Sequence, residues 1–163
     1  MTRKQSRLTE GFVIDTSALI DINREYPPDV FPKLWKDIEI LVKQGLLIAP
    51  KEVFEELKRK DDELKTWAQR HQEMFIDLDD EQLTEMSKIL TEFPRLIDHD
   101  KTIPEADPFI IALAKCRVWT VITSEHRRSN PDARPKIPDV CDHYNIKCII
   151  KPLNFFREKK WKY

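Results

Sequence analysis

Short apolar runs alternate with amphipathic stretches along the chain. Residues 12–14 (FVI) run into Asp15, and Thr16 and Ser17 lead at once into Ala18, Leu19 and Ile20, which reads as a short buried strand feeding directly into a helix. After a turn at Tyr26-Pro27-Pro28, Pro32 opens a helix reaching about Lys43, with Leu34, Ile38, Leu41 and Val42 on one face and Gly45 beyond its end. Residues 46–49 (LLIA) form an unbroken apolar tetrad, the pattern of a strand covered on both faces. KEVFEELKRK then predicts a helix, followed by a second one capped by Asp61 or Asp62 and carrying Leu64, Trp67, Ala68, His71 and Phe75 at helical spacing.

Residues 75–78 suit a short edge strand, and 80–92 a helix with Leu83, Met86 and Leu90 turned inward. A connecting loop over 93–102 precedes Asp107-Pro108, which starts the helix FIIALAKC, apolar all round and therefore buried. A strand over 118–123, a polar loop over 124–136, a helix from Ile137 to about Tyr144, a strand over 146–150 and a helical turn over 154–158 complete the pattern. Strands alternating with helices predict one α/β domain around a mostly parallel sheet, with the carboxyl ends of the strands on one edge. Asp15 falls on that edge, as does Glu125, just past the strand that ends at Thr123, and Asp107 at a helix start can reach it.

Composition narrows the chemistry. The 163 residues suit one domain (1–163), with 1–10 expected as a flexible N-terminal segment and 159–163 as a tail. Only Gly11 and Gly45 occur, so Gly-rich nucleotide loops are excluded. Cys116, Cys141 and Cys148 have no framework spacing, no apolar run approaches a membrane span, and no secretory signal is evident, which predicts reduced thiols in a cytoplasmic protein. The four histidines are scattered and Cys141-x-His143 lacks structural-zinc spacing. From Arg127 onward ten Lys/Arg face four Asp/Glu in a chain of net charge −1, so a basic end follows an acidic body. Arg127, Arg128 and Arg134, in the loop after Glu125, are candidates for phosphate contact.

Each acid also has a plainer account. Asp15 suits helix capping, Asp107 before Pro108 is a cap-then-N1 pair, Glu56 can face Lys60 at i+4, and Glu125 can be loop surface. Convergence changes the balance. Four carboxylates within ~7 Å would repel by roughly 2 kcal/mol per pair at an effective dielectric of about 20. Six pairs come to about 14 kcal/mol, beyond what a domain tolerates without protonation or a hard divalent cation.

Four blocks, VIDTSAL at 13–19, VFEEL at 53–57, ADPFIIALA at 106–114 and VITSE at 121–125, occur in the order seen in PIN-domain nucleases, which the chain resembles from about Phe12 to the last strand. The resemblance implies a PIN-like (Rossmann-like) three-layer α/β sandwich with about five mostly parallel strands and an acidic pocket. It carries over Asp15, Glu56 and Asp107 as catalytic metal-binding acids and Glu125 as the fourth, where the family usually has Asp. It also carries over Ser17 and Thr123 as supporting hydroxyls. Mg²⁺ or Mn²⁺ would be the cofactor and an RNA phosphodiester the substrate. The single compact domain looks most like the VapC-like ribonuclease toxins of prokaryotic type II toxin–antitoxin pairs, which implies a cognate antitoxin and allows a homodimer. An RNA-processing PIN nuclease and a non-catalytic RNA-binding or interaction module are the alternatives. A haloacid-dehalogenase-like phosphatase needs an acid two residues after Asp15, where this chain has Ser17.

Overall fold

A computed structural model describes residues 10–98, 100 and 105–163. The expected N-terminal segment, apart from Glu10, and part of the 93–102 loop lie outside the described residues. Five strands, β1 (Phe12–Ile14), β2 (Leu47–Pro50), β3 (Phe75–Ile76), β4 (Thr120–Thr123) and β5 (Cys148–Ile150), form one sheet in the order β3-β2-β1-β4-β5. Every pairing is parallel, with Val13 opposite both Ile48 and Val121, Ala49 opposite Phe75, and Thr123 opposite Ile150. Consecutive residues of β1, β2 and β4 are all buried, so both faces of the sheet are covered by helices. This is the three-layer α/β arrangement expected from the strand–helix alternation.

The strand order decides where a ligand site can form. From β1 the chain moves outward through β2 to β3, then returns past β1 to β4 and β5, so the winding reverses between β1 and β4. In open parallel sheets, the crevice outside the carboxyl ends of the strands flanking such a reversal is the favoured site. Asp15 follows β1 and Ser124-Glu125 follow β4. Asp15 N–H donates to the Ile122 carbonyl at 2.9 Å, which holds the two strand ends together.

The helices are α1 (Thr16–Glu25), α2 (Pro32–Lys43), α3 (Lys51–Lys60), α4 (Asp62–Gln69), α5 (Asp80–Glu92), α6 (Asp107–Arg117), α7 (Ile137–His143) and α8 (Pro152–Glu158). Helix α6 is buried nearly all round, with Ile110, Ile111, Ala112, Leu113 and Ala114 at 1% exposure or less. It packs on β1, β2 and β4, and so presents its first residue, Asp107, at the sheet edge.

Two expectations needed correction. Helix α5 turns Gln82 and Ile89 inward, and Leu83 is 46% exposed. Asp79 caps α5 through a 2.8 Å bond to Gln82 N–H, and the Gln82 carboxamide donates to the Asp77 carbonyl, so a polar residue holds the inward row. Strand β4 begins at Thr120 because Val118 adopts left-handed backbone geometry (φ 57°), ends α6 and projects into solvent. The C-terminal aromatic cluster is docked: Phe155 is fully buried against the Phe12 ring, and Trp161, beyond α8, packs on Phe155 and Phe156. Among the described residues no helix is long and apolar enough to cross a membrane.

Candidate active site

Two hydroxyl groups organise Asp15. Ser17 Oγ donates to Asp15 Oδ2 at 2.5 Å, and Thr123 Oγ1 donates to the same oxygen at 2.9 Å. Each hydroxyl then accepts from the chain leaving β4: Ser124 N–H reaches Ser17 Oγ at 3.1 Å and Glu125 N–H reaches Thr123 Oγ1 at 3.0 Å. A hydroxyl has one proton to give and two lone pairs to receive, so each of these gives its one proton to Asp15 and still accepts from the backbone. The arrangement ties the β4 exit to the β1 carboxylate and fixes where Glu125 begins. Asp15 is 4% exposed, sits at the first position before α1 and makes no side-chain cap bond, so capping does not explain it.

Glu56 is held from the same corner. Thr16 Oγ1 donates to Glu56 Oε1 at 2.6 Å, bridging the start of α1 to the inner face of α3. Glu56 is 9% exposed, and Lys60 Nζ stands 4.0 Å from its other oxygen, so the surface i+4 pair expected from spacing is only its outer fringe. Asp107 lies inside the first turn of α6, where Ala106 holds the cap position, and it too makes no cap bond. Glu125 Oε2 accepts from Ile137 N–H at 3.4 Å.

The acids feel one another's charge. Burial pushes Asp107 up to about 9, and the charges of Asp15, Glu125, Glu56 and Glu105 add to the rise. Glu125 is pushed up to about 7 by burial and by Asp15, against opposing contributions from the Ile137 N–H, Lys136 and Arg134. Burial raises Asp15 as well; its two hydroxyl donors oppose the rise and Glu56 reinforces it. Above the acids lies a cavity of about 250 Å³ lined by Glu56, Lys60, Glu105, Asp107, Glu125, Arg134, Pro135 and Lys136. Asp15 is not on its wall.

A larger cavity of about 460 Å³, lined by Trp35, Trp67, Asp62, Glu63 and Arg70 among others, lies on the helical side and holds none of these acids. Chemistry therefore points to the smaller, more polar one. All the side chains that can bind an ion there are carboxylates, which suits a hard divalent cation. Among the described residues no group of three such side chains is close enough together to hold a metal ion as it stands.

A family model described as Domain of unknown function (DUF4411) matches residues 12–163. The chain belongs to that family. The match spans β1 to the C-terminus, and so takes in Asp15, Glu56, Asp107 and Glu125. No curated protein matches the chain. Among solved structures it is similar to a chain of the crystal structure of VapBC2 from Rickettsia felis bound to a DNA fragment from their promoter. That likeness has 18% identity and a TM-score of 0.48, over 70% of this chain and 86% of that one.

The three loop arginines are already engaged. Arg127 makes a two-pronged pair with Asp142 at 2.7 and 2.9 Å, and Arg128 donates to the carbonyls of Pro131 and Ala133. Arg134 lines the cavity but donates to the carbonyls of Arg95 and Leu96 and to Glu105. Sequence reading missed Thr16 as the tether of Glu56, and Glu105 and Lys136 as cavity walls. For Thr16 the signal was present in the D-T-S run, where two hydroxyls follow the acid; for the other two nothing separates them from ordinary charged surface.

Proposed function

We propose that this chain is a divalent-metal-dependent endoribonuclease of the PIN type, and that it serves as the toxin of a toxin–antitoxin pair with a cognate antitoxin as partner. The observation that supports the nuclease reading is that Glu56, Asp107 and Glu125, from three distant segments, line one cavity at the reversal point of a parallel sheet, with the charge of Asp15 felt by Asp107 and Glu125. The toxin reading rests on the motif resemblance of a compact PIN-like domain. Asp15, Glu56 and Asp107 would hold Mg²⁺ or Mn²⁺, with Glu125 beside them or reaching the ion through water. The bound ion would supply an activated water and neutralise charge on the scissile phosphate.

The chain's own residues do the positioning. Ser17 and Thr123 fix one oxygen of Asp15, so that the carboxylate has a single orientation. Thr16 holds Glu56 in place from the neighbouring residue, which makes the D-T-S run one positioning unit. The half-buried floor excludes bulk water from the acids and strengthens every interaction made there. The test is an RNA cleavage assay with purified protein. Cleavage is expected with Mn²⁺ and is expected to stop in EDTA and return on adding metal back; persistence in EDTA would remove the metal from the proposal.

Thr16 supplies a second test. Thr16→Val keeps the shape of the side chain and removes only the donor to Glu56. The variant is expected to fold normally and to bind Mn²⁺ about 10–100-fold more weakly in calorimetric titration, the usual cost of losing a group that orients a ligand. Equal affinity in the two proteins would reduce the Thr16–Glu56 bond to a packing detail.

A further inference from the structure

The cavity over the acids has three cations on its wall, and they are not equivalent. Arg134 donates to two carbonyls and to Glu105, so its guanidinium staples the loop to the segment before α6. Arg127 and Arg128, earlier in the same loop, are bound to Asp142 and to loop carbonyls. Lys136 differs. Its side chain is exposed and its ammonium makes no ion pair among the described residues, yet its charge is felt by Glu125. Lys60 stands at the 4.0 Å limit of contact with Glu56 and is 55% exposed, so it too can turn to a new partner.

The two lysines approach from opposite banks. Lys60 ends α3, the helix that leaves β2, whereas Lys136 immediately precedes α7, which lies between β4 and β5 in the chain. Asp15, after β1, falls between them in the sheet order. Adjacent strands are about 4.8 Å apart, so β2 and β4 stand about 10 Å apart across β1, and the two lysines line the one cavity over the acids from either side of Asp15 in the sheet order. An anionic polymer drawn over acidic groups needs cations at its flanks, since the acids repel every phosphate but the one that meets the ion.

Resting on the nuclease reading above, we infer that Lys60 and Lys136 are the substrate-binding residues that grip the phosphates on either side of the scissile one. The RNA strand then lies across the strand ends, from the β2 side to the β4 side. Arg134 shapes the wall and leaves the gripping to the lysines. Lysine suits the task because its ammonium acts as a point charge that follows a moving phosphate, without the fixed fork of a guanidinium.

The test reads binding separately from cleavage. A fluorescein-labelled oligouridine is titrated by anisotropy into Asp15→Asn protein, alone and combined with Lys60→Gln, Lys136→Gln or both. Each lysine change is expected to weaken binding about fivefold to tenfold and to flatten the salt dependence by about 0.7 in the log–log slope. Lys136→Arg is expected to keep most of the affinity, and Lys43→Gln, at the far end of α2, to change nothing. In otherwise wild-type protein with Mn²⁺, the lysine variants are expected to raise KM with kcat changed by less than about twofold. Unchanged affinity and slope in the double variant, or an equal loss from Lys43→Gln, overturns the clamp. Lysine-dependent binding by a chain that cleaves nothing supports the clamp and overturns the nuclease reading; cleavage with lysine-independent binding does the reverse.

Discussion

Asp15→Asn is expected to abolish Mn²⁺-dependent RNA cleavage while leaving the fold intact. Losing a group that merely orients a ligand costs about 10–100-fold, so losing Asp15, a ligand in the proposed site, is expected to cost more than about a hundredfold. The fold should survive because the substitution keeps the size of the side chain. Ser17 and Thr123 can still donate to the amide oxygen, so neither hydroxyl is orphaned. It also removes a buried charge that Glu56 and the surrounding protein disfavour, so the melting temperature in EDTA is expected to equal or exceed that of the wild type. The readouts are a gel-based cleavage assay and thermal melting by circular dichroism. Asp107→Asn provides a second route to the same end, from a different helix. Cleavage undiminished in both variants would sink the proposed mechanism.

The physical reason the acids meet was largely legible in the sequence. A short apolar run ending in an acid, repeated as VID at 13–15 and VITSE at 121–125, places carboxylates at the ends of strands, and parallel topology brings those ends together. The buried helix at 107–117 was equally plain, since an element apolar on every side must pass through the core. What was not legible depends on contacts between distant segments. The inward row of α5 was misplaced by one position because Leu83 outranks Gln82 in hydrophobicity, and only the carbonyl of Asp77 makes the buried amide acceptable. Val118 has high strand propensity, yet it sits in left-handed geometry at the end of α6, where local preference yields to the helix exit. In the basic loop, the sequence shows three arginines but not their partners. Asp142, Glu105 and four backbone carbonyls take them up, and the less conspicuous Lys136 is left facing the cavity.

The acidic cluster should also make stability fall with rising pH in the absence of metal. The Asp107 carboxyl rises from 3.8 to about 9 and that of Glu125 from 4.5 to about 7, chiefly through burial. A group raised in the folded state holds a proton that the unfolded chain has already released, so the stability it confers is complete below pH ~4 and drains away as pH climbs through the folded value. In EDTA the melting temperature is therefore expected to fall between pH 5 and pH 9, with Glu125 contributing up to about 7 and Asp107 up to about 9. Asp107→Asn removes the larger contribution and should flatten the curve. A divalent cation competes with those protons, so its effect is expected to grow over the same interval. At about a hundred times its Kd, bound metal adds about 2.7 kcal/mol, which corresponds to about 5–11 °C for a chain of this length. The experiment is a grid of melts, wild type and Asp107→Asn, in EDTA and in Mn²⁺, at pH 5, 6, 7, 8 and 9. A wild-type curve in EDTA that is flat or rises, or one that Asp107→Asn reproduces unchanged, would show that these carboxyls do not crowd one another as the structure has them. A Mn²⁺ shift as large at pH 5 as at pH 8 would show that the ion binds elsewhere, because at the acids it must first displace their protons.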